Sequence, residues 1–144
     1  MPESKPDPLP YVQVPGYGTE LRALIGSKLK ADRELAGIIV DEIEHMCALK
    51  AQAQVHPKEK PLNGRLADLR CLVLYVHGES VRVYFRVVSG QVWMLGVLRK
   101  RKADLMDGEV DRLEQRGKEA IALAAIQPNK LNEPSKGPTR REER

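Results

Sequence analysis

The residues best suited to chemistry in this chain are cations on strand-like sequence. In Val81-Arg82-Val83-Tyr84-Phe85-Arg86-Val87 the pattern alternates. Val81, Val83, Phe85 and Val87 share one face, and Arg82, Tyr84 and Arg86 share the other. Arg70 lies on the preceding apolar run, and the following run empties into Arg99-Lys100-Arg101-Lys102. Adjacent antiparallel strands bring such side chains together on one surface. Clustered guanidinium groups bind phosphate bidentately and can stabilise the extra charge of a pentavalent phosphorane during RNA cleavage. Four cations in a row make a concentrated positive field that suits a polyanion such as RNA. The plainer alternative is that Arg82 and Arg86 face solvent and pair with carboxylates.

Other familiar chemistries are missing. No Gly-rich phosphate loop precedes a helix, and there is no Cys-x-x-Cys pair and no His-Glu-x-x-His. His45 and Cys47 lie two apart on a helix, so they diverge and do not share a metal. Asp41, Glu42 and Glu44 read as a solvated helix face rather than a catalytic carboxylate pair. No cofactor and no metal are expected.

The elements that must position the cations follow from hydrophobic period and turn signals. Tyr11-Val12-Gln13-Val14 alternates as a short edge strand, and Pro15-Gly16-Tyr17-Gly18 reads as a turn. Thr19 can cap a helix with Leu21, Leu24, Ile25 and Leu29 on one face. Asp32 can cap a longer helix whose stripe runs Leu35, Ile38, Ile39, Ile43, Met46, Cys47 and Leu49. Residues 52–61, with prolines at 57 and 61, read as a loop. Three strands then follow: Leu69–Val76, Val81–Val88 and Val92–Leu98. Ser89-Gly90 marks a tight turn and His77-Gly78-Glu79 a looser one, so the three make an antiparallel meander. Asp104 or Asp107 can cap a last helix carrying Val110, Leu113, Gly117, Ala120, Ile121 and Ala124, which Pro128 stops. Helices segregated from an antiparallel sheet make an α+β domain.

At 144 residues the chain has room for one domain with tails. Residues 1–10 carry four prolines and are expected to be disordered, as is the basic stretch 127–144, which holds too little apolar surface to order itself. The domain is therefore expected over 11–126. Aromatics make up 4% of residues, so aliphatic side chains must fill the core. A net charge of +4 mildly favours an anionic partner, and the clustering of the cations says more than their sum. Cys47 and Cys71 sit in apolar contexts and read as buried thiols of a reducing compartment. The N-terminus has no apolar core of a secretory signal, and no apolar run reaches the length of a membrane span. These features together point to a cytoplasmic protein that does not use a membrane.

The segment from Leu62 onward resembles the RelE/ParE superfamily of bacterial toxins, especially its HigB-like and phage Gp49-like branch. The likeness runs through Leu62-Asn63-Gly64-Arg65-Leu66 and Leu69-Arg70. It continues in Val81–Val87, similar to the family's "yRvlYrv" strand. It ends in Trp93-Met94-Leu95-Gly96-Val97-Leu98-Arg99-Lys100-Arg101-Lys102, similar to "vvLlhgFvKKt". Element order extends it over about residues 11–125.

The resemblance implies a RelE-like toxin fold, an N-terminal helical hairpin packed on a curved antiparallel sheet, with a C-terminal helix. It implies the toxin of a type II toxin–antitoxin system, a metal-independent endoribonuclease that cuts mRNA on the ribosome. Carried over by position, Arg82 holds the scissile phosphate, Arg70 and Lys102 neutralise the transition state, and Lys100 anchors RNA. Arg99, Arg101, Arg86 and Tyr84 complete the implied RNA-binding set, with Arg99 and Arg101 pointing away from Lys100 and Lys102 by strand alternation. A cognate antitoxin, a helix-turn-helix protein encoded nearby, is the implied partner. Several ribonuclease members carry a tyrosine or histidine near the start of the last helix, where this chain has Met106. That departure favours the alternative, a binding protein of the same fold that inhibits gyrase or is a phage-derived interaction protein.

Overall fold

A computed structural model describes residues 7–99 and 105–126. The elements are β1 (Tyr11–Gln13), α1 (Pro15–Ile25), α2 (Lys30–Ala51), β2 (Glu59–Pro61), a 3-10 turn (Gly64–Leu66), β3 (Arg70–Val76), β4 (Glu79–Val88), β5 (Gln91–Arg99) and α3 (Asp107–Ile126). The architecture is α+β: a five-stranded sheet in the order β1-β5-β4-β3-β2, with three α-helices. α1 and α2 cover one face through Leu21, Leu35, Ile39, Ile43 and Met46, packed on Leu72, Val83, Phe85 and Met94. α3 covers the other through Leu113, Ala120 and Ala124, packed on Cys71, Tyr84, Trp93 and Leu95.

The β3-β4-β5 meander forms as its alternation requires. Both hairpins close with two residues at positive φ, His77-Gly78 (53° and 74°) and Ser89-Gly90 (51° and 78°). That backbone matches strand twist, and it makes the first turn as tight as the second rather than looser. The sheet is mixed, not wholly antiparallel: β1 runs parallel to β5, Tyr11 opposite Val92 and Gln13 opposite Met94. The 52–61 segment is a loop only up to Lys58, because Glu59–Pro61 adds β2 to the β3 edge.

Helix starts differ from the sequence expectation. Pro15 begins α1, so Pro15-Gly16-Tyr17-Gly18 is its first turn. Proline suits that place, since its missing N–H would have no intrahelical partner there. Thr19 consequently lies inside the helix and donates its hydroxyl back to the Pro15 carbonyl at 3.1 Å. Asp32 also lies inside its helix. Its carboxylate accepts from the Ser27 hydroxyl at 2.7 Å, while that hydroxyl oxygen accepts the Leu29 N–H at 3.1 Å. At α3, Asp107 is the first helical residue, and Glu109 reaches back to accept the Met106 N–H at 2.9 Å. This is half of a capping box; Asp104 lies outside the described residues.

Core positions follow the stripes with four exceptions: Ile25 and Leu29, expected on the buried face of the first helix, are 54% and 65% exposed, and Val87 and Ile121 are 43% and 42% exposed. Cys47 and Cys71 are buried and unbridged, and burial raises both thiol pKa values, Cys47 to about 11. They stay protonated and unreactive.

Candidate nucleic-acid interface

Side-chain alternation divides the predicted cations between the two faces of the sheet. Arg82 stands opposite Val73, Tyr84 opposite Cys71 and Arg86 opposite Trp93. All three therefore lie on the α3 face. Arg70 stands opposite Phe85, and Arg99 opposite Val81, on the face that α1 and α2 cover. Arg70 and Arg82 cannot converge on one phosphate through the sheet, so the expected catalytic role of Arg70 is corrected. Arg70 instead pairs with Glu59, a carboxylate 1% exposed at its side chain, to which Lys50 also donates at 2.9 Å. Arg99 is equally committed. It binds Glu79 through Nε and Nη2 and Asp32 through Nη1 at 2.8 Å, tying β4 and α2 to the end of β5. Its expected place in an RNA-binding surface shared with Arg82 is corrected for the same reason. Lys100, Arg101 and Lys102 lie outside the described residues.

On the α3 face, Arg82 and Tyr84 line a concave pocket of about 490 Å³. Leu62, Leu66, Leu105 and Val110 supply its apolar wall, and Asn63, Arg65 and Asp107 its other polar groups. The 3-10 turn and the start of α3 form opposite banks. Arg65 holds them together by bonding Asp111 at 2.6 Å and also Glu114, both on α3. Those bonds, Glu114 first, raise the Arg65 pKa and lower that of Glu114. Arg65 is thus a brace, and Arg82 is the cation that lines the pocket from the sheet.

Tyr84 is fully buried. Burial, assisted by Cys71 and opposed by the Arg82 guanidinium, pushes its hydroxyl up to about 12. It can donate a hydrogen bond but gives up its proton reluctantly at neutral pH. Arg86 lies nearer the middle of α3, against Gly117, with Asp68 3.6 Å away. Asn63 and Asp107 also line the pocket, although the sequence marks Asn63 only as part of the Leu62–Leu66 motif and Asp107 only as a possible helix cap. Their signal was proximity to the Leu62–Leu66 motif and to a helix start, which does not reveal that the two segments meet across Arg82.

One cluster has metal-ligand composition: Glu42, His45 and His56 place ligand atoms within 4.8 Å of one another. Its hydrogen bonds do not fit a metal. The Lys58 N–H donates to His56 Nδ1 at 3.0 Å, so the ring proton sits on Nε2 and is given to Glu42 at 2.8 Å. Ligation through Nε2 would move that proton to Nδ1, against another donor. The Lys58 ammonium, 3.2 Å from the second Glu42 oxygen, also competes with a cation there.

No described helix is long and apolar enough to cross a membrane. Compared with known proteins, the chain matches no family model, no curated protein and no solved structure.

Proposed function

We propose that the chain is a RelE/ParE-type toxin with a RelE-like fold, whose α3-face pocket takes a phosphodiester of mRNA on the ribosome. It acts in the cytoplasm, needs no metal, and is restrained by an antitoxin, a helix-turn-helix protein encoded nearby. The observation that carries this reading is Arg82 of β4 lining a pocket together with Leu62, Leu66 and Val110. There a guanidinium can hold two phosphate oxygens with reduced competition from water.

In the reaction, the 2′-oxygen attacks the adjacent phosphorus and its proton leaves. The bond to the 5′-oxygen breaks, and that oxygen takes up a proton. Arg82 donates to the non-bridging oxygens, whose charge rises in the phosphorane. Arg70 is not available to help, so neutralisation rests on Arg82 and on the basic run, where Lys102 and Lys100 keep their proposed roles. Asp107 is the carboxylate lining the pocket among the described residues and can accept a proton.

A second reading, a non-nucleolytic binder of the same fold, is favoured by Tyr84: a hydroxyl at about 12 is a poor general acid. Induction in a bacterial host, followed by primer extension on cellular mRNA, separates the readings. Cuts within codons that vanish with Arg82→Ala support the nuclease. Intact message with blocked replication supports gyrase inhibition. Unimpaired growth with the parent chain overturns both.

A further inference from the structure

A different surface, on the far side of the sheet from the Arg82 pocket, carries its own signal. α2 buries Leu35, Ile39, Ile43 and Met46 and turns its outer face to solvent around Gly37. Lys30 and Glu44 lie seven residues either side of Gly37, and Arg33 and Asp41 lie four either side. At 3.6 residues per turn all five fall within about 40° of one line along the helix. Along the chain that line reads cation, cation, glycine, anion, anion.

Gly37 is exposed, and a Cβ built on it meets nothing within 4 Å. Its backbone is helical and needs no positive φ, so a glycine here only weakens the isolated helix. The open space beside it leaves room for close approach of another backbone. Beside it runs a groove of about 430 Å³ between α1 and α2, lined by Ile25, Ala36 and Val40 with Arg33 and Asp41. The exposed Ile25 belongs to this groove, which accounts for a side chain the core leaves out.

We infer that α2 is a homodimer interface, packing antiparallel against α2 of a second copy with the two-fold axis at Gly37. The occupant is fixed by charge order. An antiparallel two-fold pairing sets Arg33 against Asp41 of the second copy and Lys30 against Glu44, each twice. A parallel pairing would set cation against cation. The local partners leave these groups available. Arg33 spends Nη1 on the Ser27 carbonyl at 2.7 Å, and Lys30 reaches Glu34 only at 3.9 Å. Asp41 forms no ion pair or hydrogen bond among the described residues. The row Arg33-Gly37-Asp41 is an i, i+4 ridge, the kind that packs most often between helices, and glycine at its centre lets the axes close.

Sedimentation velocity of the full-length chain over a range of concentrations tests this. The parent is expected to dimerise. Arg33→Asp and Asp41→Arg are each expected to weaken the dimer at least about tenfold, because each puts like charges together twice. The double variant Arg33→Asp/Asp41→Arg restores the pairing and regains the dimer, a rescue that a misfolded variant would not give. Gly37→Cys is expected to cross-link two copies under mild oxidation, Cys47 and Cys71 being buried. A parent that stays monomeric at every concentration, a dimer indifferent to both single reversals, or reversals not rescued by combination would each overturn the proposal.

Discussion

Arg70 and Arg82 carry identical side chains on neighbouring strands, yet their environments assign them opposite work. Arg70 is one of two cations on the buried Glu59 carboxylate; Lys50 is the other. Arg70→Ala should therefore cost stability, about 1–3 kcal/mol because Lys50 remains as partner, read as a lower urea midpoint at unchanged slope. Its growth inhibition should fall only as far as its abundance falls. Arg82→Ala should abolish growth inhibition even when compared at the abundance of Arg70→Ala, whatever stability is lost with the hydrogen bond between its guanidinium and the buried Tyr84 hydroxyl. Equal effects at both positions would contradict the division between faces. A pH effect also belongs to single residues. Desolvation pushes the Glu42 carboxyl up, but hydrogen bonds from His56 and Lys58 and the Lys58 charge outweigh it, so its pKa is lowered. A lowered folded-state pKa adds stability above the unfolded carboxylate range, lost as pH falls through that range to the lower folded value. Glu42→Gln should flatten the acid limb of stability against pH, as followed by urea midpoints from neutral pH downward. Which residues share the Arg82 face was legible from alternation within β4. Which side Arg70 and Arg99 take was not, because that depends on cross-strand register, and register leaves no mark within one strand.

At the scale of elements, the end of β1 shows how side chains complete a sheet. β1 stops at Gln13, and the Val14 N–H donates to the Met94 carbonyl at 3.0 Å. Beyond that point the β5 edge has no strand partner among the described residues. Glu20 of α1 accepts the Val97 N–H at 2.9 Å, and Arg116 of α3 donates to the Leu95 carbonyl and to Glu20, each at 3.0 Å. One ion pair thus closes the edge and joins helices from both faces of the sheet. Two glycines make room for it. A Cβ on Gly16 would overlap the Arg116 guanidinium, and one on Gly96 would stand 3.0 Å from Nη1. Gly16→Ala should therefore destabilise by at least about 1 kcal/mol, although alanine is the better helix former. A higher melting temperature for Gly16→Ala would show the contact to be idle. Helix existence and stripe were readable from period alone. Their starts were not, because Pro15 opens α1, α2 begins at Lys30 with no side-chain cap, and Glu109 rather than Asp107 accepts the Met106 N–H at α3. Each is a local bond choice among several that propensity treats as equivalent. The parallel β1–β5 pairing was likewise hidden, since residues 14–90 separate the two strands and a three-residue strand carries little pattern.

The whole molecule is a sheet with two unlike outer surfaces, and that separation has a consequence. The Arg82 pocket opens on the α3 side, while Gly37 faces outward from α2 on the other. A dimer built on α2 therefore leaves both pockets exposed, one on each outer side. The two proposals must then be independent in energy, since the sites share no contact and the sheet lies between them. Arg82→Ala should dimerise as the parent does. Asp41→Arg should bind single-stranded RNA, measured per protomer by fluorescence anisotropy, within about twofold of the parent. The salt response separates the sites further. RNA affinity should fall steeply as salt rises, because phosphate contacts release counterions. Dimer affinity should fall less, because ion pairs held between two packed helices are screened less than exposed phosphate contacts, and the apolar Ile25 and Val40 of the groove add burial that carries no charge. If Arg82→Ala instead disrupted the dimer, or dimer and RNA affinities tracked each other through every variant and salt concentration, the two surfaces would be one site. The sheet would then not separate them as its register implies.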